Sequence, residues 1–129
     1  MRYYLAKKLS TDFDSAVSKA KEALKSEGFG VLSEIDIHEK LKEKLDVDFR
    51  KYRILGACNP SLAHQALQKE DKVGIMLPCN VIVQQVGENE IEIAAVDPVI
   101  SMQGIENDEL HKIAEIVRGK LERVISSIN

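Results

Sequence analysis

The sequence predicts an α+β fold: a two-layer sandwich with a mainly antiparallel sheet, helices on one face, and element order β-α-β-α-β-α-β-β-β-α. Three observations carry that expectation. Strand-like and helix-like stretches alternate through the first half of the chain. A hairpin follows, and in its second arm Glu90 and Glu92 alternate with Ile91 and Ile93, which implies one wet sheet face and antiparallel pairing. The last helix carries an apolar stripe of Leu110, Ile113, Ala114, Val117, Leu121, Val124, Ile125 and Ile128 that must be buried against something. A doubly wound α/β sheet is the alternative, and the wet strand face argues against it.

Each element has a local cause. Tyr3 to Leu9 is aromatic and apolar enough for a first strand. Ser10-Thr11 offers a helix cap with Asp14 three residues after Thr11, and Phe13, Val17, Ala20 and Leu24 then fall within an arc of about 60°. Gly28 suits the left-handed C-terminal cap. Phe29 to Ile35 alternates as a second strand; Asp36 with Glu39 looks like a cap for a short helix with Leu41 and Leu45. Lys51 to Ala57 is a third strand running into Cys58-Asn59-Pro60, where Asn59 suits the N-cap and Pro60 the first helical position. That helix gathers Leu62, Ala63, Ala66 and Leu67 and ends near Lys69. Val73 to Leu77 reads as a strand broken at Pro78. Asn80 to Val86 and Glu90 to Val96 form the hairpin through Gly87-Glu88-Asn89, and Asn107 or Asp108 caps the last helix.

Composition excludes several function classes. A chain of 129 residues buries about two-thirds of its surface on folding, enough for one domain spanning residues 1–129. The prolines at 60, 78 and 98 sit at element ends, so no linker is indicated, and no internal repeat occurs. With 18 basic and 21 acidic residues the net charge is −3, which lacks the basic excess of a nucleic-acid binder. No apolar run reaches the ~18–20 residues of a membrane span, and the first residues lack a signal-peptide pattern. Two cysteines are too few for a disulfide framework. The expectation is a soluble, cytoplasmic protein.

Few residues carry chemistry. His64 and His111 fall on polar helix flanks and read as solvated; His38, at a helix start beside Asp36, could border a cleft. The chain has neither a Gly-x-Gly-x-x-Gly nor a P-loop, and no Gly-x-Ser-x-Gly elbow. Its carboxylates are interleaved with lysines, as on a solvated helix face, and Asp97-Pro98 reads as a turn former. The two cysteines differ from this background. Each precedes an asparagine, adjoins a proline and lies at an element junction, in Cys58-Asn59-Pro60 and Leu77-Pro78-Cys79-Asn80. A helix entrance stabilises a thiolate at Cys58. Against this stands the plain reading of two core cysteines acting as small hydrophobes.

These residues, with Ala63, Ala66, Leu67, Gly74, Val83, Asp97-Pro98, Glu34-Ile35-Asp36, Leu41-Lys42 and Tyr52-Arg53-Ile54-Leu55-Gly56, resemble domain-of-unknown-function family 302 over nearly the whole chain. The polar, lysine-rich stretch from Glu39 to Lys51 departs from its pattern. The resemblance implies a small bacterial or archaeal protein with an α+β fold, marks Cys58 and Cys79 as shared motif residues, and supplies no reaction. The expected site is therefore a ligand-binding set of Cys58, Asn59, Cys79 and Asn80 for a soft metal or thiol-reactive small molecule. Zinc is the candidate metal, on Cys58, Cys79 and His38. A thiol-disulfide pair and a structural module with core cysteines are the alternatives. A homodimer is expected, because the first strand could be a sheet edge and Met102-Gln103-Gly104-Ile105 places apolar groups in a loop.

Overall fold

The computed structural model describes residues 2–129. Five strands form one antiparallel sheet: β1 (Tyr4–Leu9), β2 (Gly30–Asp36), β3 (Tyr52–Cys58), β4 (Cys79–Gly87) and β5 (Glu90–Val96), in spatial order β1-β5-β4-β3-β2. The helices are α1 (Phe13–Ser26), α2 (Ile37–Leu45), α3 (Pro60–Lys69), α4 (Pro98–Ser101) and α5 (Asp108–Ser127). The α+β class, the antiparallel sheet and the order of the long elements agree with the sequence. Two short elements differ. Val73–Met76 is a 3-10 turn rather than a strand, and a single turn of helix, α4, follows Asp97.

The helix stripes explain the layering. Phe13, Ala16, Val17, Ala20 and Leu24 of α1 and Leu121, Val124, Ile125 and Ile128 at the end of α5 bury against Leu55, Ala57, Val81, Val83, Ile91, Ile93 and Ala95 of the sheet. All of these lie on one sheet face, because they alternate along their strands. A second cluster beyond the strand ends joins Ala66 of α3 and Val73 to Met102, Leu110 and Ala114. Both apolar residues of the 102–105 loop pack here, so this loop is covered within the chain and gives no support to a dimer. The α2 helix buries no residue, which fits its lysine-rich sequence.

Caps decide where the helices start. Asp12, not Ser10 or Thr11, accepts the Ser15 N–H at 3.1 Å, and Asn107 accepts that of Leu110 at 3.0 Å. Asp36 precedes α2 but caps nothing; its carboxylate takes both Arg53 Nε at 2.6 Å and Nη2 at 3.2 Å across the β2–β3 pair. Arg53 holds that carboxyl below its ordinary range. At the other end of α1, Gly28 adopts φ +84°, and a Cβ there would lie 3.0 Å from Asn59 Nδ2. The glycine both permits the left-handed turn and lets α1 end against the start of α3.

Candidate functional site

The junction of β3 and α3 meets the start of β4. Asn59 accepts the Leu62 N–H on Oδ1 at 3.2 Å and donates from Nδ2 to the Glu27 carbonyl at 3.4 Å, with Pro60 behind it at the first helical position. Its polar atoms are thus spent on fixing where β3 turns into α3. Gly56 performs a matching task. A Cβ on it would approach Pro78 Cγ to 2.9 Å and strike the Ser33 hydroxyl, so only glycine lets Pro78 lie over the strand. Pro78 then delivers Cys79 into register opposite Ala57. Cys58 is the next residue on β3, and its Cα therefore lies about 6 Å from that of Cys79, as diagonal neighbours in an antiparallel ladder do.

Cys58 and Cys79, neither in a disulfide, are both among the residues lining one cavity of about 30 Å³. That is room for a single water-sized guest. Ala57, Leu77, Met102 and Leu110 are among its other walls, and none of its lining residues carries a charge. Cys79 is buried and Cys58 half-buried, so Cys58 is the more accessible of the two. Burial, reinforced by the neighbouring Cys58, pushes the Cys79 thiol up to about 11. Cys79 is consequently a neutral thiol at pH 7 and becomes a thiolate only when something replaces its proton.

The other expected site residues lie elsewhere. Asn80 is exposed and pairs with Gly56 on the opposite sheet face, away from the thiol cavity. His38 Nδ1 accepts the Tyr52 N–H at 3.0 Å at the beginning of β3, while Cys58 ends that strand. Six residues of strand separate them by roughly 20 Å. The zinc set of Cys58, Cys79 and His38 is therefore not assembled in one chain. His38 instead neighbours Asp36 and Glu39, and this trio is the only cluster of three His, Cys, Asp or Glu ligand atoms among the described residues. Its Asp36 is already held by Arg53.

His64 is exposed, as its helical position implies, whereas His111 is half-buried and its Nε2 has no hydrogen-bond partner among the described residues. The polar flank of α5 is partly covered by the α4 segment, which the helix periodicity alone did not reveal. Asp97 does form a turn, accepting the Val99 and Ile100 N–H groups, and it also binds Arg118 Nε at 2.8 Å. Sequence reasoning missed Met102 as a cavity wall and Arg118 as the partner of Asp97. The stripe on α5 was the one available sign that Leu110 and Ala114 face inward.

These features define a small α+β protein with a charge-free, sulfur-bearing cavity at the ends of its inner strands β3 and β4. The family model described as "Domain of unknown function DUF302" matches residues 5–128, and the chain belongs to that family. It is similar to a solved structure, that of an uncharacterized conserved protein DUF302 from Bacillus stearothermophilus, with 29% identity, a TM-score of 0.92 and full coverage of both chains. No curated protein matches it. No described helix is long and apolar enough to cross a membrane.

Proposed function

We propose that the protein is a cytoplasmic binding module whose cavity between β3, β4 and α5 takes a soft metal ion or a small thiol-reactive ligand on Cys58 and Cys79. The observation that carries this reading is that both cysteines are among the residues lining one apolar cavity sized for a single small guest. Sulfur donors without a carboxylate or imidazole favour soft ions, and Met102 adds a thioether to the same wall. A tetrahedral zinc site needs four N, O or S ligands, and with His38 at the far end of β3 the cavity lacks them. A monovalent soft ion such as Cu(I) fits this donor set better.

Binding must expel protons, because the metal takes thiolates while Cys79 rests as a thiol with a pKa of about 11. Affinity should accordingly rise up to tenfold per pH unit below that value for the Cys79 proton alone. The test is thiol-reagent labelling of the native protein with Cu(I), with zinc, with a chelator and after mild oxidation, repeated on Cys58→Ser and Cys79→Ser. The expected result is strong protection by Cu(I) that either substitution abolishes, with zinc protecting weakly. Labelling indifferent to metal overturns the metal reading. Reversible loss of both thiols on oxidation, without metal protection, transfers the site to disulfide chemistry; silence of both cysteines until unfolding makes them core residues.

A further inference from the structure

The sheet has a second face, and no helix covers it. The strand registers place Ala6 opposite Ala94, Ala94 opposite Ile82, Ile82 opposite Ile54 and Ile54 opposite Ile35. One apolar row thus crosses all five strands without a polar side chain. All five residues remain partly or fully accessible, with Ile35 41% exposed at the β2 edge. A polar row flanks it: Lys8 opposite Glu92, Glu92 opposite Gln84, and Gln84 opposite Tyr52. Arg50, two residues before Tyr52, reaches into that row and donates from Nε to Gln84 Oε1 at 2.8 Å, and Gln84 Nε2 donates to Glu92 Oε1 at 2.9 Å. On the other side Tyr4 and Val96 extend the apolar surface over β1 and β5, while the exposed Asn80 and Ser33 make the β4–β2 part of that row polar.

From this face we infer that the partner is a second copy of the same chain, packed sheet on sheet about a two-fold axis parallel to β4. Three arguments select that occupant. The first is area: five strands at ~4.8 Å spacing and about 20 Å of strand length give roughly 1,000 Å² of projected surface from two copies, the size a specific interface requires. The second is shape. β4 is the middle strand, so the axis sets Ile82 against the partner's Ile82 and stacks β5 on the partner's β3. Ala94 and Ala6 then face the partner's Ile54 and Ile35, small against large, as interdigitating sheets about 10 Å apart need. The third is charge. The same operation keeps polar row over polar row and brings Arg50 over the partner's Glu92, twice by symmetry. An axis perpendicular to the strands would instead lay the polar row over Tyr4 and Val96. A nucleic acid or a strongly charged protein finds no single-sign field here, since Lys8, Arg50 and Glu92 alternate in sign.

Sedimentation equilibrium of the full chain at micromolar concentration should return twice the chain mass of 14.4 kDa. Ile82→Lys places a charge at the centre of the interface and should raise the dissociation constant at least ~30-fold, as central contacts do. Its circular dichroism should match the parent, because Ile82 is not in the helix-covered core. Arg50→Glu, at an exposed position, should also weaken the dimer, and combining it with Glu92→Arg should restore it. A chain that stays monomeric at 100 µM by the same measurement (a concentration of order 10⁻⁴ M) overturns the proposal. So does a dimer that survives Ile82→Lys, or a double variant no tighter than Arg50→Glu alone. None of these readouts depends on the cysteines, so failure here leaves the metal site untouched.

Discussion

The two faces of the sheet are built from the same strands and solve different problems. On the helix side Leu55, Val81, Val83, Ile91 and Ile93 are completely buried under α1 and α5. On the other side, the residues between them in the chain, Ile54, Ile82, Glu92 and Ala94, stay partly accessible. Burial alternates with period two, but polarity does so only partly. Glu92 follows the rule that the second face is wet, whereas Ile54, Ile82 and Ala94 break it. The contrast teaches that an exposed strand position is defined by what this chain's helices leave uncovered, and the contiguous apolar row there is the surface on which the proposed dimer rests.

The largest effect expected from this contrast is in the covered face. Leu121→Ala should cost about 2–5 kcal/mol in denaturant unfolding, since the side chain is fully buried and its loss leaves a cavity. Val117, on the same stripe, is only partly buried and should lose well under ~2 kcal/mol when cut to alanine. Ile82→Ala, measured where the chain is monomeric, should cost less than ~1.5 kcal/mol for the same reason. Equal losses at Leu121 and Ile82 would abolish the distinction between the faces.

Cys79 sits on the covered face, and its thiol supplies a pH signature. Its folded pKa of about 11 exceeds the ordinary value of 9.0, so the unfolded chain gives up this proton first as pH rises. The contribution is intact below pH 9 and is lost between about pH 9 and 11, roughly 2–3 kcal/mol at ~1.4 kcal/mol per unit. Chemical denaturation across that range should show a steeper decline for the parent than for Cys79→Ala, with parallel curves counting against a buried neutral thiol. Iodoacetamide should likewise label Cys79 tenfold faster per added pH unit in this range.

At Gly56 the chain covers its own open face, because Pro78 and Ser33 occupy the space of the missing Cβ. Gly56→Ala should destabilise by about 1–3 kcal/mol and loosen Cys79 together with Pro78, seen as faster thiol labelling at fixed pH. Gly74→Ala, which meets nothing within 4 Å, is the control and should change little.

The smallest effect belongs to the rim. Asp36 and Arg53 are about three-quarters covered and joined by two hydrogen bonds, so Asp36→Asn should cost on the order of 1 kcal/mol. Because Arg53 lowers the Asp36 pKa, this stabilisation is present above the ordinary carboxyl value of 3.8 and vanishes as pH falls through the depressed one. Acid unfolding of the parent and of Asp36→Asn should therefore converge below that pH.

Much of the architecture was legible because its causes are local. Three- and four-residue spacing on α1 and α5 identified faces that are indeed buried, and Asn59-Pro60 marked the start of α3. The alternation of β5 identified the hairpin, whose two-residue turn holds Asn89 at φ 51°. Val73–Met76 was misread because four apolar residues are too few to show any period, and the turn is set by its packing against α3. His38 was misplaced for a different reason. Its ring serves the Tyr52 N–H, a contact that depends on how α2 folds back on β3.

The sequence by itself determined where the long helices and strands lie, which helix faces turn inward, and that two cysteines stand at element junctions. These depend on spacings of two, three or four residues, within reach of the backbone's own periods. Only the tertiary structure decided that both thiols share a cavity without His38, that Cys79 rests as a neutral thiol, and that five apolar residues from five strands fall into one row. Those facts depend on strand register and on packing between segments tens of residues apart, where a shift of one residue would turn every side chain to the other face.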